Sequence, residues 1–115
     1  MDAVIELGLK LADVEESPYY GARALKLNGQ MVACTPVNKS AEVNSAVVAM
    51  NFEQRAALLR KHPSLYYVTD HYVPHHAMLI RLSKISRVQL ARTLRLAWKF
   101  AASKSAGPRS SGKAK

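Results

Sequence analysis

The stretch Ala24-Leu-Lys-Leu-Asn-Gly-Gln-Met31 decides the fold class. Asn28-Gly29 is the pair that a two-residue type I′ turn requires, because both central residues must accept positive φ. Before it, Tyr20, Ala22 and Ala24 alternate with Arg23, Leu25 and Leu27 at period two, which predicts a strand. After it, Gln30 to Thr35 predicts the antiparallel partner, ending at Pro36, which offers no ladder donor. The chain therefore contains a hairpin, and its other elements must pack around one.

Working outward, Asp2 to Ala12 places Val4, Leu7 and Leu11 at helical spacing, with Ile5 and Leu9 widening the stripe and Gly8 weakening it. A polar loop from Val37 to Val43 leads into Ser45-Ala-Val-Val-Ala-Met50, an apolar run of strand length. Asn51 is a good N-cap, with Gln54 at the reciprocal capping-box position, and predicts a helix from Phe52 to about Lys61 that ends before His62-Pro63. Leu65 to Thr69 is aromatic and β-branched, hence strand, and His76 to Leu82 alternates as a strand after the loop Asp70 to His75. Ser86, with Gln89 three residues on, caps a last helix. The order α-β-β-β-α-β-β-α predicts a single α+β domain with a mainly antiparallel sheet packed by helices.

One domain is also what 115 residues can bury. An apolar fraction of 49% with 22% charged residues excludes disordered, collagen-like and coiled-coil classes. The formal charge of +9 is unevenly placed: residues 1–80 carry seven bases and all eight acids, residues 81–115 ten bases and no acid. Residues 1–102 form the expected domain, and the small, polar and basic residues 103–115 are expected to be a disordered tail. The single Cys34 forms no intramolecular disulfide, and acids stand where a secretory leader has bases, so a reducing cytoplasm is expected. Each apolar run is broken before the roughly 20 residues a membrane span needs, and no membrane partner is expected.

The last helix turns charge into geometry. At 100° per residue, Arg92, Arg95 and Lys99 share one face, while Leu90, Leu94, Ala97, Trp98 and Ala101 lie opposite. Arg81, Lys84 and Arg87 continue the basic run upstream, with Arg87 in the first turn where a cation opposes the helix dipole. A solvated helix face normally mixes signs, and no acid follows Asp70. These six bases are the expected contacts for DNA or another polyanion.

Other candidates carry less. Asp70 with His71, His75 and His76 has the side chains of a metal site. Adjacent His75 and His76 on an extended backbone point to opposite faces, which favours a turn shaped by Asp70 with solvent-facing histidines. No metal or other cofactor is expected. Cys34 at a strand end reads as a small buried hydrophobe, and Glu15 and Glu16, adjacent in sequence, are poorly placed for opposed acid and base roles, so no enzyme is expected. Tyr19, Tyr20, Tyr66, Tyr67 and Tyr72 could stack on bases if exposed beside cations, or send alternate rings into the core with the hydroxyl at its edge.

Several segments together resemble one family. Val14-Glu-Glu-Ser17 followed by Tyr20-Gly21, the Asn28-Gly29 hairpin, the Glu53 to Leu59 helix, Tyr67-Val-Thr-Asp-His-Tyr72 and the Ala97-Trp98 pair within Val88 to Phe100 are similar, in order and spacing, to the MmcQ/YjbR family. The resemblance covers about residues 3–102; the Pro36-containing segment Cys34 to Glu42 and Val73-Pro-His-His76 depart from it. It implies a compact domain likened to a double-wing DNA-binding architecture and to secretion-chaperone folds. The expected function is weak, phosphate-directed nucleic-acid binding; the alternative is a chaperone-like protein-interaction module with an acidic partner.

Overall fold

The computed structural model describes the backbone of residues 1–110 and the side chains of residues 1–104. Three helices and six strands follow in the order α1 (Asp2–Gly8), β1 (Val14–Glu16), β2 (Ala24–Leu27), β3 (Gln30–Cys34), β4 (Ser45–Ala49), α2 (Phe52–Lys61), β5 (Tyr66–Tyr67), β6 (Ala77–Arg81) and α3 (Arg87–Ser110). The α+β class and the order expected from sequence hold, with β1 added as an edge strand whose three residues are too few to show a period. The strands form one antiparallel sheet in the order β1-β2-β3-β4-β6-β5.

The central hairpin has the turn its sequence requires: Asn28 and Gly29 sit at φ 49° and 83°, and Leu27 faces Gln30 across it. Leu25 pairs with Ala33 but Lys26 with Met31, so Val32 is the extra residue of a bulge. The bulge lets Val32 and Ala33, neighbours in sequence, both join the core on the helical side.

Strand β4 is buried along its whole length. Ala46 and Val48 join Met50, Met78, Ile80 and Tyr66 in a core roofed by α1 and α3, through Val4, Ile5, Leu90, Leu94, Ala97 and Ala101. On the other face Val47 packs with Ala24, Cys34, Ala77, Leu79 and Tyr72, under loops rather than helices. This two-sided burial is why the 45–50 run shows no polar alternation.

The caps form with modifications. Gln54 N–H donates to Asn51 Oδ1 at 2.7 Å, but it is the Asn51 side-chain amide, not its backbone, that donates to Gln54 Oε1 at 3.2 Å. Gln89 N–H donates to Ser86 Oγ at 3.1 Å, while the Gln89 side chain turns inward to donate to Tyr66 Oη at 2.9 Å. Thr93 Oγ1 donates to the Gln89 carbonyl at 2.9 Å, so its only proton is committed, and the 2.6 Å contact with Tyr66 must have the phenol as donor. Three groups thus close a ring of hydrogen bonds that ties β5 to α3.

Helix α1 ends at Gly8 rather than at Ala12; Lys10 and Leu11 donate to carbonyls three residues back, a tighter turn. Helix α3 runs to Ser110, past the boundary expected at residue 102, and residues 111–115 of the basic tail lie outside the described residues. Among the described residues no helix is long and apolar enough to cross a membrane.

Gly8 is present for space. A Cβ built there overlaps Leu25 Cδ1, the end of a fully buried side chain that would have to shift within the core. Gly8→Ala is expected to destabilise the fold by about 1–3 kcal/mol despite its better helix propensity, and Leu25→Val in the same chain to recover part of that loss in urea denaturation.

Candidate polyanion surface and the adjoining groove

The six bases singled out in the sequence fall into two groups. Arg81, at the end of β6, is spent on structure: its Nε and Nη2 donate to the two carboxylate oxygens of Glu42 at 3.0 Å each, and its Nη1 to the carbonyls of Pro63 and Ser64. Its guanidinium also lies 4.5 Å from the centre of the Tyr67 ring. With the side chain 23% exposed, Arg81 locks the 37–44 and 62–65 segments to the sheet. Arg87 is paired with Glu6 at 2.6 Å, a tether between α3 and α1.

Lys84, Arg92, Arg95 and Lys99 are exposed. Lys84 stands in the turn before α3, and the other three form the outer face of that helix. Among the described residues none of these four makes a salt bridge. The opposite face packs as its spacing predicts, with Leu90, Leu94, Ala97 and Ala101 buried and Trp98 Nε1 donating to the Ala12 carbonyl at 2.9 Å. The structure therefore groups Arg92, Arg95 and Lys99, leaves Lys84 at their N-terminal end, and withdraws Arg81 and Arg87 into ion pairs.

Beside α3 lies a groove of about 590 Å³ that no single stretch of sequence announces. Its walls come from the 19–20 turn, β3 and the residues after it, the 71–77 loop, and Phe100, Ala101 and Lys104 of α3. The 71–77 loop is held by Arg55 of α2, whose guanidinium donates to the carbonyls of Tyr72, Val73, His75 and Ala77. His76 stacks on Phe52 at 4.1 Å and meets Phe100 at 5.3 Å. Lys104 Nζ is 5.5 Å from the Phe100 ring centre. None of the residues lining the groove is acidic.

The tyrosines divide. Tyr66 is buried with its hydroxyl in the ring of hydrogen bonds described above, and Tyr67, on the opposite face, bonds Ser45 Oγ at 2.6 Å and accepts from Glu42 N–H at 2.7 Å. Tyr72 is buried too, whereas Tyr19 and Tyr20 both remain outside the core, 36% and 83% exposed. His71, His75 and His76 are exposed, with the His71 and His75 rings 5.7 Å apart. Among the described residues no group of three His, Cys, Asp or Glu side chains is placed to hold a metal ion. Cys34 is buried at the groove floor, and burial pushes its thiol up to about 11. It is protonated at neutral pH, a poor state for a nucleophile.

Hydrogen bonding from Arg81 holds the Glu42 carboxyl below the usual range, with a further contribution from Lys84, and Arg87 does the same for Glu6. The stability this contributes is complete above the ordinary glutamate pKa and is lost as pH falls through the depressed folded value. Glu42→Gln is expected to flatten the acid side of the stability profile in urea titrations at stepped pH. Arg81→Gln should lower stability by about 2 kcal/mol through its lost charged hydrogen bonds, whereas Arg92→Gln should change it by less than about 0.5 kcal/mol. Iodoacetamide should alkylate Cys34 far more slowly in the folded than in the unfolded chain at pH 8 or thereabouts, the folded rate rising as pH nears about 11. No family model matches the chain, and no curated protein matches it.

Proposed function

We propose that the chain binds nucleic acid through its phosphates, on the outer face of α3. The observation that carries this reading is the trio Arg92, Arg95 and Lys99, exposed on one helix face, without ion-pair partners among the described residues, in a third of the chain that has no acid. Lys84 extends the surface toward the sheet. Such a surface attracts a polyanion by releasing its condensed counterions and speeds encounter by steering. The likeness to the MmcQ/YjbR pattern points the same way, though fold analogy is a weaker warrant than charge geometry. Cys34, protonated at neutral pH, takes no part in this role, and a cytoplasmic setting belongs to the same proposal.

The alternative, a chaperone-like module that takes an acidic partner at a sheet face or a strand edge, finds little edge to use. Strand β1 is three residues long with Glu15 and Glu16 exposed, and β5 is two residues long. Short, charged edges are what proteins use to refuse an added strand.

With Arg81 and Arg87 committed elsewhere, about three or four phosphates should be neutralised, giving log K against log salt a slope of about −3 to −4 on duplex DNA. Replacing Arg92, Arg95 and Lys99 together by Gln should flatten that slope toward zero while leaving the urea midpoint near its original value; an unchanged slope would sink the proposal.

A further inference from the structure

Two turns in this chain have the same backbone. Asn28-Gly29 joins β2 to β3 with both residues at positive φ. Tyr20-Gly21 does likewise at φ 52° and 80°, closed by reciprocal hydrogen bonds between Tyr19 and Ala22 of 3.0 and 3.1 Å. Asparagine tolerates this region; a bulky aromatic residue there is a strained outlier, which fold stability alone does not call for. The effect of the strain is to hold the Tyr20 ring out of the core, 83% exposed, at the wall of the groove beside α3.

Further rings line the same groove: Tyr19 in edge contact with Tyr20 at 4.7 Å, the His71 and His75 pair, and the His76 to Phe100 contact, with Lys104 over Phe100. Arg55 fixes the loop that carries the histidines, so this wall is already in place. A volume of about 590 Å³ is that of an ordinary small-ligand site. Exposed rings, a lysine and no carboxylate complement a flat heteroaromatic group that carries negative charge. Phe100 and Lys99 are consecutive on α3, about 100° apart around its axis, so the groove begins where the phosphate surface ends.

We infer that the groove receives an unpaired base of the same strand whose phosphates lie on α3, so that the partner is single-stranded nucleic acid. This rests on the phosphate-binding reading above. Stacking of a base on an exposed ring is tolerant of sequence and unavailable to a base inside a duplex, so it adds affinity for single strands only.

Fluorescence anisotropy with three labelled probes of one length, roughly 15 nucleotides, tests it: a thymidine strand, a duplex, and an abasic strand with the same phosphates. The thymidine strand should bind about tenfold more tightly than the other two. Tyr20→Asn, which places in this turn the residue found at Asn28, should keep or raise the urea midpoint yet abolish that preference, and Tyr20→Phe should retain it. The Arg92, Arg95 and Lys99 triple variant should weaken all three probes. Equal binding of the three probes or a preference that survives Tyr20→Asn would overturn the inference with the phosphate surface left standing, whereas a polyglutamate chain bound as tightly as the thymidine strand would overturn both. Absence of salt-dependent binding to any probe would instead remove the phosphate reading and the inference with it.

Discussion

Strand β4 is covered on both faces, and that constraint organises the molecule. A central strand with no residue in water needs an apolar layer above and below it. Two helices supply the layer on one side. On the other, the cover is made of loops, whose peptide groups must find partners if they are to lie against a sheet at all. Arg55 satisfies four carbonyls of the 72–77 segment, Arg81 two carbonyls at 63–64 and the carboxylate of Glu42, and Ser40 meets Thr69 at 2.6 Å. The loop face is therefore an ordered wall, and the groove beside α3 inherits its shape from it.

The same requirement sorts the positive charges. Arg55 and Arg81, near the loop face, are drawn into carbonyl and carboxylate contacts that hold the loops in place. Those on the outer face of α3 meet no such demand, because a helix satisfies its own backbone and the core beneath it is apolar. Arg87 is the exception, tying α3 to α1 within the helical layer by pairing with Glu6 across 81 residues of sequence. Structural and free cations are thus distinguished by what their neighbours lack, not by their spacing along the chain.

Much of this architecture is legible locally. The Asn28-Gly29 turn, the caps at Asn51 and Ser86, the proline stop at Pro63 and the apolar stripe of α3 each follow from the chemistry of a few adjacent residues, and each appears where that chemistry puts it. What escapes a linear reading is whatever depends on distant backbone. The partners of Arg55 are carbonyls 17 to 22 residues away, and Glu42 lies 39 residues from Arg81, so neither arginine carries a local sign of its role. The bulge at Val32 depends on register between strands, and β1 is too short to show alternation. The groove is assembled from five separate parts of the chain, and Tyr20 looks like any other tyrosine until its φ is known.

Helix α3 follows every strand in chain order and, with α1, roofs the main core. During synthesis from the N-terminus, the sheet face that it covers stays open until α3 has left the ribosome, and early chains must avoid sticking through that face. The hairpin forms from neighbours and fast, whereas the contacts of Glu6 with Arg87 and of Ala12 with Trp98 wait for loop closures over 81 and 86 residues. The segment that completes the fold also carries six bases and no acid. A nascent chain thus acquires its mutual repulsion, and its attraction for polyanions, at the moment it becomes able to fold.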